Sequence, residues 1–279
     1  MAADEGSCAV DLILNKGVYL KGLMALYKEA KIPNVTLTFE KDNITIVELT
    51  QSKDGQRILS DTAIKSKNTI YQYNHTAPDI NFCMDTKDAN TALGNCGRND
   101  SVSIFILSNK LDQIGLRFDS AKASSSQDNL HVITACQSER KQYIRPTYTS
   151  ERTVVGSMGD FETVIGNIKR SRPTTVTIKC EVNAEGLPNF VFERDNSKNT
   201  AVSMYTFGKV VEVPTETLTF TLGLQAIMVL KKLIGACNRD DNISITMEKD
   251  INGKMKPLRL NISTSVLEHT NYIFPYEDK

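Results

Sequence analysis

The sequence predicts an α+β protein made of two similar domains, each with two helices packed on an antiparallel sheet. A single pattern, one short helix followed by two alternating strands, occurs four times along the 279 residues. The four copies form two pairs around a charged segment. Hydrophobic residues make up 40% of the chain, which is enough apolar material for the cores of two modest domains.

The four copies recur at intervals of roughly 70 residues, and each pair is expected to form one domain. Each helix is too short to be stable alone and must pack its apolar face on the strands that follow it. In those strands apolar residues alternate with polar ones, as at Val35, Leu37 and Phe39, which predicts one buried and one solvated sheet face. The copies span residues 18–49, 85–118, 159–192 and 221–262.

The segment QSERKQYIRPTYTSERT, residues 137–153, separates the second copy from the third. It is charged, contains Pro146 and has no clean hydrophobic period, so it is interpreted as a linker. The predicted organisation is therefore an N-terminal domain at 1–136, a connector at 137–153 and a C-terminal domain at 154–279.

Helical phase, at about 100° per residue, divides each helix into an apolar stripe and an opposite face. The stripes of the four helices begin at Tyr19, Ala89, Phe161 and Ala226. Basic residues lie opposite or beside every stripe, whereas acidic residues there are few, mainly Glu29 and Glu162. These basic faces are either ordinary solvated surface or a surface that binds a polyanion. The basic residues are Lys21, Lys28, Lys87, Lys169, Arg170, Lys231 and Lys232.

Bulk composition excludes several classes of protein. Lys+Arg and Asp+Glu both total 33, so net charge predicts neither nucleic-acid nor membrane binding.

The six cysteines lack metal-ligand spacing and are expected to be reduced and mostly buried, in an intracellular compartment. The N-terminus lacks the features of a signal peptide, and no stretch is apolar enough to span a membrane. No catalytic motif is present and the three histidines are far apart, so we expect no catalysis, no metal and no cofactor.

Four local segments resemble the eukaryotic and viral DNA sliding clamps typified by proliferating cell nuclear antigen (PCNA). LNKGVYLKGLMALYKE resembles the first clamp helix, and MGDFETVIGNIKR resembles the start of the second clamp domain. LTFTLGLQAIMVLKKL followed by SITM resembles the last helix and strand, and NYIFPYEDK resembles the C-terminal tail. The resemblance is one of pattern and covers nearly the whole chain.

The resemblance implies a sliding-clamp fold and a ring of three chains that encircles double-stranded DNA without reading its sequence. It implies a processivity factor for replication and repair, with a DNA polymerase and a clamp loader as partners. Its location would be the nucleus or a viral replication site. The seven basic helix residues would then face DNA.

The resemblance also implies two protein interfaces. Partner peptides would dock on apolar residues of the connector and the tail, although Tyr143 and Ile144 could instead simply pin the connector to the sheet. The neighbouring subunit would pair with the edges of strands 129–137 and 200–207, unless loops cover both edges. The partner-binding residues are Leu49, Ile58, Tyr143, Ile144, Pro146, Tyr272, Ile273, Phe274 and Pro275. The subunit-interface residues are Leu130, Val132, Ile133, Ala201, Ser203 and Tyr205.

Two departures indicate a divergent member, such as one encoded by a large DNA virus. Cellular clamps are acidic whereas this chain is neutral, and its second helix carries only one basic residue, Lys87. The alternatives are a checkpoint-clamp subunit, a herpesvirus-type processivity subunit, or a clamp-fold protein-interaction module without DNA. An enzyme remains the third class.

Overall fold

The computed structural model describes residues 7–65, 69–119, 130–150, 153–170, 173, 175–194, 203–213 and 215–276. The chain forms two compact units. The first unit contains residues 1–48, 61–142 and 265–268, and the second contains 49–60, 143–264 and 269–279. Neither unit is one continuous segment, since residues 49–60 join the second unit and 265–268 join the first. The domain boundaries predicted above follow chain order and stay a prediction.

The part of the chain before the connector contains two helices and nine strands among its described residues. Strands β5, β1, β7, β8, β9, β6, β2 and β3 lie side by side in that order, and the strand pairs of known register are antiparallel. Helices α1 and α2 pack against each other. The elements are β1 Cys8–Leu14, α1 Val18–Glu29, β2 Asn34–Glu40, β3 Ile44–Gln51, β4 Arg57–Ile64, β5 Thr69–Tyr73, β6 Asp79–Asp85, α2 Thr86–Ala92, β7 Ser101–Leu107, β8 Gln113–Asp119 and β9 Leu130–Gln137.

The part after the connector repeats this arrangement with its own two helices. Strands β13, β12, β11 and β15 form one antiparallel sheet, and β14, β10, β16 and β17 pair in that order. Helices α3 and α4 pack against each other. The elements are β10 Val154–Ser157, α3 Met158–Arg170, β11 Thr175–Val182, β12 Pro188–Arg194, β13 Ser203–Thr206, β14 Lys209–Val210, β15 Leu218–Gly223, α4 Leu224–Ile234, β16 Asn242–Thr246, β17 Leu258–Ser263 and β18 Leu267–Ile273.

The predicted fourfold pattern of a helix and two strands is confirmed. Each helix is followed by an antiparallel pair, namely β2–β3, β7–β8, β11–β12 and β16–β17. The stripes that begin at Tyr19, Ala89, Phe161 and Ala226 are buried at those residues. The pattern missed the strand that precedes every helix. It also predicted one solvated face for each strand, whereas β2 buries both faces from Val35 to Phe39. A strand with neighbours on both edges and a covered outer face has no solvated side to alternate with.

No helix within the described residues is long and apolar enough to span a membrane. Those residues also contain no cluster of three or more His, Cys, Asp or Glu side chains that could hold a metal ion.

A buried polar chain lies inside the second unit. The Ser60 hydroxyl donates to Asn271 Oδ1 at 2.7 Å, and Asn271 Nδ2 lies 2.6 Å from His269 Nε2. Full burial lowers the pKa of His269 to about 4, although its hydrogen bond to Asn271 acts in the opposite direction. The folded protein therefore holds this imidazole neutral, whereas the unfolded chain protonates it near pH 6.5.

Lowering the pH from about 6.5 to about 4 is expected to reduce the free energy of unfolding by roughly 3 kcal/mol through His269 alone. The sign follows because the unfolded chain binds the proton and the folded chain does not. Urea unfolding at several pH values measures the effect. A His269→Gln variant should lose this component, whereas His75→Gln should keep it. An unchanged pH slope in the His269 variant would contradict the assignment.

Candidate nucleic-acid and partner interfaces

The basic residues predicted to face DNA all lie on the four helices. Six of them are exposed: Lys28 on α1, Lys87 on α2, Lys169 and Arg170 on α3, and Lys231 and Lys232 on α4. Lys21 on α1 differs from the others because its side chain is half-buried. Its ammonium group donates to the backbone oxygens of Gly94 (2.7 Å) and Cys96 (2.9 Å), just beyond α2. Lys21 therefore joins α1 to the backbone that follows α2. Its charge is less available to a ligand than the charges of the six exposed residues.

The helices concentrate positive charge in a chain whose formal net charge is zero. Their sequences contain seven Lys or Arg residues against four Asp or Glu residues. Most of these charges lie where the helix dipole favours them, with Asp88 and Asp160 in first turns and Lys28 in a last turn. The dipole alone could explain such positions. It does not explain Lys87, a cation in the first turn of α2, where the dipole disfavours positive charge.

Two lysines from neighbouring helices crowd each other. The side chain of Lys169 on α3 lies close to that of Lys231 on α4, and this proximity and the repulsion between their charges lower the pKa of Lys231. Glu162 acts in the opposite direction but does not compensate for it. An anion placed over this pair would relieve the repulsion, as a phosphate group would.

The start of the connector is fixed to the first unit by ion pairs. Arg140 contacts the Glu40 carboxylate, and Lys141 Nζ lies 2.7 Å from Glu48 Oε2. Glu48 also accepts a hydrogen bond from the Thr36 backbone N–H at 2.9 Å. Burial raises the pKa of Glu48, although the hydrogen bonds from Lys141 and Thr36 oppose the shift.

The end of the connector is fixed within the second unit. The backbone N–H groups of Thr149 and Ser150 donate to Glu248 Oε2 at 2.9 and 3.1 Å. Burial alone would raise the pKa of Glu248, but the hydrogen bonds donated by Lys256, Ser150 and Thr149 outweigh it and lower the pKa. The Tyr148 ring stacks on Tyr272 with centroids 6.2 Å apart. Between these attachments, the side chain of Ile144 is 96% exposed.

The predicted partner-binding residues divide into exposed and buried sets. Leu49 is 36% exposed, and the half-buried members are Tyr143, Pro146, Phe274 and Pro275. The prediction was wrong for Ile58 and Ile273, which are fully buried and cannot contact a docked peptide. Both belong to strands, β4 and β18, whose side chains at these positions point into the core. Tyr272 is 9% exposed and is covered on one face by Tyr148.

The tail is attached as a strand extension within the second unit. Phe274 N–H donates to the Arg57 oxygen at 2.9 Å, and the Arg57 guanidinium lies 5.2 Å above the Phe274 ring. Gln56 Nε2 donates to the Phe274 oxygen at 3.0 Å. These contacts explain why Ile273 is a core residue and not a free anchor.

Within the described part of the chain, strand β9 presents an open backbone edge along its first half. It pairs with β8 over 130–134, whereas β6 pairs only with 135–137 on the other side. Ala135 N–H donates to the oxygen of Asp112, which immediately precedes β8. Along an antiparallel strand, successive residues direct their backbone N–H and C=O groups to opposite edges. The backbone groups of Ile133 therefore also face β8, whereas those of Val132 face the open edge. The exposed side chains there are Leu130 (51%) and Val132 (58%), whereas Ile133 is 5% exposed.

Strand β13 is the end strand of its sheet among the described residues. Phe207 N–H donates to Phe190 O, so by the same alternation Tyr205 and Ser203 direct their backbone groups to β12. Met204 and Thr206 instead direct their backbone groups to the open edge, and neither was among the predicted interface residues. Ala201 lies outside the described residues.

Two helices on antiparallel strands, present in both units, define the sliding-clamp fold, and this fold class agrees with the sequence prediction. Solved structures of the same fold cover almost the whole chain. PCNA of A. fulgidus bound to the C-terminal region of FEN-1 matches with a TM-score of 0.73 and 12% identity over 97% of this chain and 99% of that one. PCNA from Entamoeba histolytica matches with a TM-score of 0.73 and 12% identity over 97% and 100%. The PCNA2–PCNA3 complex from Sulfolobus tokodaii matches with a TM-score of 0.70 and 15% identity over 95% and 98%.

The likeness is one of structure. No protein-family model matches the sequence. No curated protein matches it either. At 12–15% identity, the solved structures establish the fold alone.

Proposed function

We propose that this protein is a DNA polymerase processivity factor, a sliding clamp that encircles duplex DNA. The observation that carries the proposal is the PCNA-type fold over nearly the whole chain together with the excess of basic residues on its four helices. The mechanism is topological: a closed ring leaves DNA slowly because it must open, and weak phosphate contacts allow it to slide. The protein acts as a scaffold, without catalysis.

The proposal includes a ring of three identical chains, a clamp loader that opens it, and replication and repair proteins that bind it. The open edges of β9 and β13 support the ring, because an unpaired strand edge is a template for association. The PCNA2–PCNA3 structure is a complex of two different chains, so a mixed ring is the other outcome of a mass measurement. The proposed location is the nucleus or a viral replication site.

A threading experiment tests encirclement without a loader. Linear duplex DNA carries a biotin at each end, and streptavidin blocks the ends either before or after the protein is added. A ring should be retained in high salt only when the protein is added before blocking, because only then can it thread onto an end. Retention independent of the order would indicate ordinary surface binding. If the protein assembles as a ring but is retained in neither order, the result would favour a protein-interaction module without DNA.

The exposed connector gives a second test, of partner binding. Replacing Ile144 and Leu49 with Ala is expected to weaken binding of a peptide carrying the FEN-1 C-terminal region by roughly tenfold or more. Exposed apolar side chains beside a connector contribute binding energy when a partner covers them. Fluorescence anisotropy with the labelled peptide measures the change.

The matched control is Ile251→Ala, since Ile251 is also fully exposed but lies in the turn between β16 and β17. This variant should bind as the parent does. Equal peptide affinity for the Ile144 and Leu49 variant would show that these residues do not form the partner site.

A further inference from the structure

Two cysteines that are distant in sequence meet on neighbouring strands. Cys83 of β6 and Cys136 of β9 are direct antiparallel partners, although 53 residues separate them. Side chains at opposed positions on adjacent strands lie on the same face of a sheet. The Cys136 thiol points at the Cys83 backbone oxygen at 3.7 Å.

The backbone spacing at this pair suits a disulfide. Ser138 N–H donates to Asn81 O at 3.1 Å, two residues along each strand from the cysteines. Opposed residues of an antiparallel pair alternate between positions that exchange backbone hydrogen bonds and positions that do not. Cys83 and Cys136 therefore also exchange backbone hydrogen bonds, and the Cα atoms of such a pair lie about 5.5 Å apart. Disulfides most often join Cα atoms separated by about 5.5–6 Å. The Cβ atoms of opposed residues on adjacent strands lie about 4.5–5.5 Å apart. A disulfide needs Cβ atoms about 3.5–4.5 Å apart, so the bond requires a small local approach of the two strands.

The two thiols also differ in access to solvent. Cys136 is exposed, whereas Cys83 is half-buried. Burial raises the pKa of Cys83, and the neighbouring Cys136 adds to the shift, although Thr36 and Lys141 oppose it. Cys83 is thus less accessible to direct attack than Cys136. Among the other cysteines, Cys96, Cys180 and Cys237 are buried.

We propose that Cys83 and Cys136 form a reversible redox site that a hydroperoxide converts into a cross-strand disulfide. The Cys136 thiolate attacks the peroxide, the O–O bond breaks, and Cys136 becomes a sulfenic acid while an alcohol, or water from hydrogen peroxide, leaves. Cys83 sulfur then attacks Cys136 sulfur, the S–O bond breaks, and water leaves with the Cys83 proton. Two thiols are oxidised, one peroxide is reduced, and a dithiol reductant reverses the bond by exchange.

The bridge would fasten β6 to the last residues of β9, immediately before the connector begins. It would close a long loop and so restrict the unfolded chain more than the folded one. The oxidised protein should therefore melt at a higher temperature than the reduced protein. This inference does not depend on DNA binding or on ring assembly.

The test is peptide mapping of the full chain after treatment with hydrogen peroxide, alkylation of free thiols and digestion without reductant. The expected result is a Cys83–Cys136 linked peptide that dithiothreitol removes, together with a higher melting temperature. Cys83→Ser and Cys136→Ser should each lose both effects, whereas Cys8→Ser should keep them. The same treatment in urea should give mixed linkages.

Three outcomes would overturn the proposal. These are a sulfinic acid on Cys136 with Cys83 still alkylated, disulfides only between chains, and no reaction at either thiol. Because the linked peptide is measured in the parent protein, the test does not depend on whether a serine variant folds.

Discussion

Replacing Lys28, Arg170, Lys231 and Lys232 with Ala is expected to lower duplex-DNA affinity by about 10- to 1,000-fold at physiological salt. Each side chain is exposed on a helix and can reach a phosphate directly or through water. Each lost phosphate contact reduces the slope of log affinity against log salt by about 0.9, so the four together should flatten it by up to about 3.6. Fluorescence anisotropy over a salt series measures both quantities.

Lys21 is left intact in this variant because it donates to two backbone oxygens, and its loss would confuse folding with binding. The matched control replaces Lys41, Lys53, Lys110 and Lys209, which are exposed in strands and turns, and so removes the same charge from other surfaces. Both variants should melt as the parent does. If the helix variant threads onto DNA with the parent's salt dependence, the basic helix faces are ordinary solvated surface. That result would support the alternative of a protein-interaction module without DNA.

Replacing Val132 with Pro is expected to convert the proposed three-chain assembly into single chains. Val132 directs its N–H to the open edge of β9, so proline removes a donor from the proposed subunit interface and leaves the hydrogen bonds to β8 in place. Analytical ultracentrifugation measures the mass. Circular dichroism should show the parent's fold.

Two further variants separate the backbone effect from other causes. Val132→Ala shortens the same exposed side chain but keeps the N–H, so it should remain assembled. Ile133→Pro should instead destabilise the first unit, because Ile133 is buried and directs its N–H to β8. A three-chain assembly that survives Val132→Pro would exclude this edge as the interface.

The sequence by itself was enough to predict the helices and the strand pair after each of them. The stripe that begins at Tyr19 repeats at the helical period, and Val35, Leu37 and Phe39 repeat at the strand period. These periods are local properties of the backbone, so they can be recognised without knowing the neighbours. The α+β class with two similar domains followed from the repetition of this local pattern. The sliding-clamp fold was implied by the resemblance of four local segments to known clamps.

Only the tertiary structure decided what surrounds each side chain. Strand period assigns a residue to a face, but it does not say whether another element covers that face, and so Ile58 and Ile273 were wrongly placed on the surface. Lys21 was likewise assigned to an exposed helix face by its helical phase. Its ammonium group instead binds the backbone oxygens of Gly94 and Cys96, which are far along the chain and cannot be recognised from the helix alone.

Pairing across a sheet is equally hidden from the linear pattern. Ile133 and Val132 look alike in the sequence, yet their backbone groups point to opposite edges of β9. Cys83 and Cys136 look like two of six scattered thiols until the register of β6 and β9 places them side by side. The local hydrophobic period determined the helices and strands, whereas long-range strand pairing determined which residues meet. The reason is that contacts between distant segments depend on the register of the paired strands and not on the period within one strand.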